Sequence, residues 1–420
     1  MREGTPIGET LDLGTMAQHF LKASNEMPWR LGTMAPRDIK LGYEPGVGLD
    51  RDVQLSVYAV PDAGVVAMLN LSYTASVNKT VDLLDHLTFA RSSITFDGRS
   101  LAEIVTEYAA GTCQGDITLG QDMFHVIEAD SASGILSDNN INVPPPPWLK
   151  QLDLTIATKL IYKIHDQVRP DFTSLRMPLD ANRHEGQIAC VALTGALLIG
   201  VPEWFQQCVL GSSIISIAAL SRLRVVRRET FDALRQLEAM EFDVMSQNRQ
   251  GLSTARTALA KLSERLRWLD IALASGVEAK LDVTAVLPSP RLASYHYATV
   301  ESMGITTGSK YVSNLVDRLR YSIAAQGDAI AAAERQRDEE RRAEISVVAG
   351  ALSTIAIVFG IFFGFFGTNA KQVSPNYSFF DHHYLGFYLL IAGIILSISC
   401  LFLSLLLRRR VRRDARHIGI

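Results

Sequence analysis

Three consecutive residues, Gly367, Thr368 and Asn369, have types suited to contact with a hydrated metal cation. Mg²⁺ loses water reluctantly, so a site that passes it does better with neutral oxygens touching the hydration shell than with carboxylates that strip it. Asn369 offers an amide carbonyl, Thr368 offers a hydroxyl, and Gly367 leaves room for close approach. The same residues could instead cap the end of a helix, and taken alone they leave both interpretations open.

These residues follow a long apolar run, and a second run comes soon after. The segments 345–366 and 385–407 are 22 and 23 residues long and contain no charged residue. At about 1.5 Å per helical residue, each is long enough to cross the roughly 30 Å hydrocarbon core of a bilayer. We predict two transmembrane helices in contact with lipid, joined by a loop at 368–384.

Basic residues indicate the orientation of the two predicted spans. Four arginines precede the first span closely and six follow the second, whereas the loop between them contains one lysine, Lys371. The positive-inside rule then places both termini in the cytosol. The first residues lack an apolar core of signal-peptide type, which agrees with a cytosolic N-terminal domain. We expect a multi-pass protein of the cell (inner or plasma) membrane.

A long helix is predicted to lead into the first span. Apolar residues keep near-heptad spacing from Val312 to Ala333, and no proline occurs between Arg291 and Val373. We expect this helix to begin near Leu292, to break or kink at the weak positions Gly304 and Gly308, and to run unbroken from Ser309 to Phe366. Upstream, helical stripes of apolar residues run through 223–244 and 252–273.

The N-terminal half shows strand patterns. The segments 53–60 and 65–72 are rich in β-branched residues and are separated by Pro61, Asp62, Ala63 and Gly64, which is a hairpin signal. Short strands are predicted at 93–96 and 123–129, on either side of a helix at 101–110. These patterns predict an α/β or α+β body with a largely antiparallel sheet.

The segment 186–221 carries one charge, Glu203, and allows two interpretations. It is either a buried strand followed by a buried helix or another membrane hairpin. We favour the first, because the uncharged part before Pro202 is short for a span. The fold class is therefore an α+β cytosolic domain with a long helical stalk and two C-terminal transmembrane helices. The predicted parts are an N-terminal cytosolic domain (1–221), a helical stalk (222–343), the first span (344–367), an outer loop (368–384), the second span (385–407) and a basic cytosolic tail (408–420).

Composition excludes several classes of function. A formal net charge of −3 gives no cationic excess for nucleic acid, so we expect no nucleic-acid partner. The four cysteines lie far apart and form no CxxC pair, which predicts neither a zinc site nor a disulfide framework. No local Ser/His/Asp, Cys/His or paired-carboxylate signature occurs, so we expect neither an enzyme nor a cofactor.

A long cytosolic helix that continues into a span, a short loop, a second span and a basic tail resembles the CorA family of divalent-cation channels. The resemblance extends to Gly367 and Asn369, because the first span of the family ends in Gly-Met-Asn; here Thr368 replaces the methionine. It implies a homopentamer in which five such ends form the outer mouth and the first spans line an axial pore. It also implies passive conduction of divalent cations, Mg²⁺ first.

The predicted pore helix is apolar apart from occasional hydroxyls. Thr354, Ile357 and Ile361 are the pore-lining candidates, and such a lining suits a gate that closes by dewetting. Gly360 and Gly364 form a GxxxG pattern that lets helices approach closely. The close neighbour is either the first span of another subunit or the second span of the same chain.

Other features weaken the resemblance and support an alternative function. The loop has Lys371 first and no acid until Asp381, whereas loops in the family commonly carry acids soon after the motif. Asp381, His382 and His383 are either a metal-attracting cluster or solvated polar residues. The alternative is a membrane sensor or effector that keeps the CorA scaffold, responds to a cytosolic signal or partner, and does not serve Mg²⁺ uptake; a structural anchor is a third reading.

The acidic residues of the helical part also allow two interpretations. Those of the stalk's end are either ordinary helix-surface pairs or rings that draw cations to the inner mouth of an oligomer. The resemblance also implies cytosolic Mg²⁺ sensing by acids between neighbouring domains. The candidates for that role are Asp232, Asp243, Asp270, Asp282, Asp317 and Asp328.

Overall fold

The structure is a computed structural model of the 420-residue chain. It describes residues 9–10, 27–41, 48–49, 53–89, 94–110, 120, 122–129, 154–165, 175–182, 187–244, 249–282 and 289–368, with seven helical positions between 386 and 398. The strands are β1 (Glu9–Thr10), β2 (Trp29–Met34), β3 (Ile39–Lys40), β4 (Gly48–Leu49), β5 (Gln54–Val60), β6 (Gly64–Asn70), β7 (Tyr73–Thr74), β8 (Thr95–Phe96), β9 (Arg99–Ser100), β10 (His125–Ala129), β11 (Ile188–Val191) and β12 (Gly195–Ile199). The α-helices are α1 (Val77–Phe89), α2 (Leu101–Ala109), α3 (Leu154–Tyr162), α4 (Glu203–Val244), α5 (Arg249–Gly276), α6 (Pro290–Ser302) and α7 (Ile305–Thr368).

The protein is a mixed α+β protein with long helices, and it divides into two compact units, Met1–Gly327 and Asp328–Ile420. The first unit contains the sheets, α1 to α6 and the beginning of α7. The rest of α7 and the C-terminal residues belong to the second unit.

The predicted hairpin at the start of the first unit is confirmed. β5 and β6 pair in antiparallel register from Gln54 and Asn70 to Val60 and Gly64. The turn between them contains Asp62 with φ of 60° and leads to Gly64 with φ of 144°, a value that favours glycine. With β1 and β2 they form a four-stranded sheet in the order β1-β2-β5-β6.

The segment 186–221 forms two buried strands followed by a long helix. β11 and β12 are antiparallel, and β10 joins β12 in parallel, which gives a second sheet in the order β10-β12-β11. In the part of the chain that the structure describes, residues Glu203–Met240 of α4 are the one helix long and apolar enough to span a membrane, but 61% of that apolar window is buried inside the protein. A helix buried to that extent in its own chain is weak evidence for a span.

Helices cover both faces of the second sheet, and the alternating side chains of its strands show this. Ala189 and Val191 of β11 face Phe205 of α4 and Tyr295 of α6. On the other face, the alternate residues of β11 and β12 contact α3 and Val81 of α1. The first sheet repeats the arrangement, because Leu55 faces α1 and α2 while Tyr58 and Val60 face α4.

The helical part of the first unit has its own apolar cluster. The leucine stripe predicted in 252–273 is confirmed, because Leu262, Leu266, Leu269 and Leu273 of α5 are buried against α4, α6 and α7. The same cluster contains Val312, Val316, Leu319 and Ile323 of α7. One stripe of each helix therefore supplies this core, as the periodicity indicates.

The break that the sequence allowed at Gly304 in the last long helix is present. α6 starts at Pro290 and ends at Ser302, and α7 starts at Ile305 as a separate helix. Gly304 between them has φ of 70°, which stops α6, while Met303 and Ile305 are buried on either side of it. Gly308 lies inside α7, where a Cβ atom would come within 2.8 Å of Leu223 Cδ2.

Three further features were not expected from the sequence. The first 50 residues include β2, and helices α1 and α3 lie where no helix was assigned. Position 221, the predicted end of the N-terminal domain, lies in the middle of α4, because the apolar first half and the charged second half of this segment form one helix.

Candidate functional site

Helix α7 presents the pore-lining candidates at regular spacing. Thr354, Ile357 and Ile361 lie three and four residues apart, so they share one helix face. The Thr354 hydroxyl donates to the carbonyl of Gly350 at 2.8 Å, and the Ile357 side chain is 60% exposed. Ile361 lies in the helix, but the side chains of Val358 and of residues 361–368 lie outside the described part. The structure thus aligns Thr354 and Ile357 along one face.

The predicted mouth residues, Gly367, Thr368 and Asn369, lie at the end of α7. Gly367 and Thr368 are the last two helical residues, and Asn369 lies outside the described residues. The last carbonyls of any helix lack helical N–H partners. The motif therefore begins where main-chain oxygens become free to meet water, a ligand or a capping group.

Side-chain exposure changes abruptly along α7. Val312 and Leu319 are 1% and 0% exposed, whereas Ile345 and Leu352 are 67% and 63% exposed. The large apolar residues of α7 that are exposed beyond position 344 are Ile345, Val348, Leu352, Ile355, Ile357 and Phe359. A contiguous apolar surface of this kind on a folded chain indicates a lipid or protein environment rather than water.

The exposed part of α7 has two chemically different faces. Ile345, Val348, Leu352, Ile355 and Phe359 follow steps of three and four residues and form a face of large side chains. Ser346, Gly350, Ser353 and Gly360 form a face of small residues on the opposite side, which also carries Thr354 and Ile357. A Cβ atom on Gly350 or Gly360 would meet nothing within 4 Å among the described residues. The small face therefore has room for another helix.

Acidic residues near the predicted inner mouth take part in interactions along the helix. Gln336 donates to Glu340 at 3.4 Å, and Glu334 and Glu344 also have interaction partners. Of the sensing candidates, Asp270 and Asp317 share Arg320, at 3.1 Å and 2.7 Å. Within the described ranges no group of three or more His, Cys, Asp or Glu side chains could hold a metal ion.

A polar cluster that the sequence did not reveal connects α1, α3 and β10. Lys163 donates to Thr88 Oγ1 at 2.9 Å, Thr88 donates to the Leu84 carbonyl at 2.7 Å, and His125 Nε2 lies 3.1 Å from the same hydroxyl. The single hydroxyl proton goes to Leu84, so His125 must donate its Nε2–H. Burial, aided by the charge of Lys163, lowers the pKa of His125 to about 3.

A second histidine, which is buried, connects α4, α6 and the 3₁₀ turn Glu278–Lys280. His296 Nε2 lies 3.0 Å from the Lys280 carbonyl, and Nδ1 lies 2.8 Å from the Ser212 hydroxyl. A carbonyl only accepts, so Nε2 carries the proton and Nδ1 accepts from Ser212. Burial lowers the pKa of His296 to about 4. Both histidines are separated from their partners by many residues, so sequence spacing gives no sign of them.

The chain was compared with protein-family models, with curated proteins and with solved structures, and none of them matches it.

Proposed function

We propose that the protein is a CorA-like membrane channel for divalent metal cations, Mg²⁺ first, in which the first transmembrane helices of a homopentamer line the pore. Helix α7 is the observation that carries this proposal. It is 64 residues long, about 96 Å by the helical rise, and it joins a buried stripe to an exposed apolar surface. One helix therefore contributes residues both to the core of the first unit and to the predicted span.

The predicted span of α7 is only partly described, so it does not count beside α4 as a described helix long and apolar enough to cross a membrane, but its exposed apolar part supports a membrane location. From Ile345 to Gly360 the helix rises about 24 Å, and every described large side chain on it is apolar. No charged residue occurs between Ile345 and the predicted loop. Lipid on the large face and neighbouring helices on the small face would cover this surface.

The chemistry of the mouth supports a hydrated cation as the transported species. Gly367 and Thr368 end the helix, so free carbonyls, the Thr368 hydroxyl and the Asn369 amide would present neutral oxygens in one place. Neutral oxygens suit an ion that keeps its water. Five copies around an axis would repeat these oxygens as a ring.

Flux into liposomes tests the proposal. Purified protein in liposomes with an internal Mg²⁺-sensitive dye should admit Mg²⁺, and Asn369→Ala should reduce the rate at least 10-fold. Asn376→Ala makes the same chemical change in the same loop and should leave the rate within about twofold. Absence of flux for all three proteins, in a preparation shown to be folded and oligomeric, would contradict the proposal.

Topology and assembly can be measured independently of flux. Reporter fusions at Met1 and Ile420 should both indicate the cytosol, and a non-cytosolic Met1 would mean that the predicted two-span arrangement is wrong. Native mass spectrometry from detergent should give five times the 46.2 kDa mass of one chain. A monomer at all detergent concentrations would contradict a pore shared between subunits.

The second candidate function is a membrane sensor or effector on the same scaffold. The presence of Thr368 in place of the family's methionine, and of Lys371 as the first charge of the loop, favours it. The variant Thr368→Met separates the two candidates, because it restores the resemblance at its weakest position. A channel should show Mg²⁺ flux in the wild type, whereas flux that appears only in Thr368→Met would favour a scaffold that has lost conduction.

A further inference from the structure

His296 occupies a joint between separate elements, which we call the His296 joint and define by Ser212 on α4, His296 on α6 and Lys280 in the 3₁₀ turn. Its ring is 1% exposed, and both of its nitrogens are used. The Ser212 side chain is also 1% exposed. The neutral ring with its proton on Nε2 satisfies both partners, one as acceptor and one as donor.

The 3₁₀ turn also holds the beginning of α7. Glu278 Oε1 accepts a hydrogen bond from Ser309 at 3.2 Å, and Ser309 is 3% exposed. At Gly276, two residues before the turn, a Cβ atom would lie 2.8 Å from the Asp62 carbonyl and 2.8 Å from Arg222 Cγ. The turn is therefore the place where α5, α6, α7 and the β5–β6 turn meet.

Protonation of His296 would change this arrangement in a defined way. A second proton on Nδ1 faces the Ser212 hydroxyl, which must then turn its own proton away and accept. The ring also gains a positive charge without access to water, which burial strongly disfavours. Of the neighbouring charged groups, Asp282 favours the charged ring, Glu278 and Lys280 belong to the turn itself, and α4 meets the ring through the neutral Ser212.

We propose that the His296 joint is an acid-responsive latch, in which uptake of a proton by the buried ring releases α6 and the 3₁₀ turn from α4. Because Ser309 depends on the same turn, opening also loosens the first turns of α7. The latch does not depend on ion conduction, so it can be tested independently of the proposed channel.

Hydrogen–deuterium exchange of the full-length protein in detergent tests the latch. With a pKa of about 4 in the closed joint against 6.5 for an accessible histidine, the opening equilibrium should rise about 20-fold between pH 7 and pH 5. After correction for intrinsic exchange, amides in 276–282 and 290–302 should show this rise. If these amides exchange only when the whole protein unfolds, the proposal is wrong.

Two matched variants test whether His296 causes the rise in exchange at low pH. His296→Gln keeps one acceptor and one donor but cannot be protonated, so the rise in 276–282 and 290–302 should disappear. His125→Gln removes the other histidine and should leave the rise in these segments intact. An unchanged rise in His296→Gln would overturn the latch.

A second measurement covers the case in which His296→Gln does not fold. Exchange of the C2 hydrogen of the His296 ring in the wild-type protein, followed by mass spectrometry, gives the protonation curve of that ring directly. A midpoint clearly below 6.5 supports the latch. A midpoint at or above 6.5 overturns it, because the ring would then accept its proton without opening.

Discussion

The Thr88 hydroxyl oxygen at the end of α1 lies 3.1 Å from His125 Nε2 on β10. The same oxygen accepts a hydrogen bond from the ammonium of Lys163. One hydroxyl therefore connects a helix, a strand and the residue that follows α3. The three residues are 37 and 75 positions apart along the chain. The cluster fixes the second sheet against the helices that cover it.

Replacement of Thr88 by valine should destabilise the body by about 1–3 kcal/mol, because it leaves the partly buried Nε2–H of His125 without an acceptor while the shape is kept. Urea unfolding followed by tryptophan fluorescence measures the change. Thr106→Val is the matched control, since Thr106 is exposed and its hydroxyl bonds to its own helix. Its effect should stay within about 0.5 kcal/mol. Equal effects of both variants would contradict the role assigned to Thr88.

Lys163 has φ of 57°, in the left-handed region that favours glycine at the end of a helix. Lys163→Gly should therefore be more stable than Lys163→Ala by about 1 kcal/mol, because both variants lose the ammonium but glycine alone is unstrained there. Thermal unfolding of the two variants side by side measures the difference. A more stable alanine variant would mean that this residue is not left-handed in the folded protein.

Acid should weaken the folded state through the partly buried His125 and the buried His296. Their pKa values of about 3 for His125 and about 4 for His296 lie below the ordinary 6.5, so between these values the unfolded chain binds protons that the folded chain does not. Their contribution to stability is complete above pH 6.5 and is lost as the pH falls. The two histidines together should lower the free energy of unfolding by up to about 2.7 kcal/mol for each pH unit of acidification between roughly pH 6 and 4.5.

His125→Gln checks this pH dependence. The slope of unfolding free energy against pH should be shallower than that of the wild type by about 1.4 kcal/mol per pH unit over the same range, because one of the two groups no longer titrates. Urea unfolding at pH 7, 6 and 5 provides the slopes. Parallel slopes for the two proteins would show that His125 is not a neutral group in the folded protein.

Two glycines should respond to alanine with opposite signs. In Gly276→Ala the new Cβ lies 2.8 Å from the main-chain carbonyl of Asp62, which cannot move easily, so we expect a loss of about 1–3 kcal/mol. In Gly327→Ala the new Cβ lies 3.5 Å from Leu259, an ordinary contact in the middle of a helix. That variant should gain about 0.5–1 kcal/mol. Chemical unfolding of both measures the signs, and a stabilised Gly276→Ala would contradict the close approach of α5 to the β5–β6 turn.

Patterns between near neighbours in the sequence predicted much of the fold. The hairpin of β5 and β6 was predicted from a Pro-Asp-Ala-Gly turn between two β-branched segments, and the helix from Ser309 to Phe366 is confirmed within α7. The leucines of 252–273 are buried as their spacing indicates. Such patterns succeed because turns and helices are set by residues a few positions apart.

The candidate site was predicted only in part. The sequence placed Thr368 in the outer loop, whereas α7 ends at this residue. The roles assigned to Gly367, Thr368, Thr354 and Ile357 stay predictions. Asn369 and most of the second span lie outside the described residues, so the outer mouth and the two-span arrangement stay predictions.

By itself the sequence determined the long helices, the hairpin and the uncharged C-terminal runs, because each depends on local spacing and composition. Only the tertiary structure decided which strands became neighbours, as when β10 joined β12 in parallel. It also decided that Thr88 meets His125 and Lys163, and that Ser212 meets His296 across 84 residues. Such contacts arise when apolar faces pack together and carry polar side chains inside, where each must find a partner, and nothing in local periodicity specifies which partner that is.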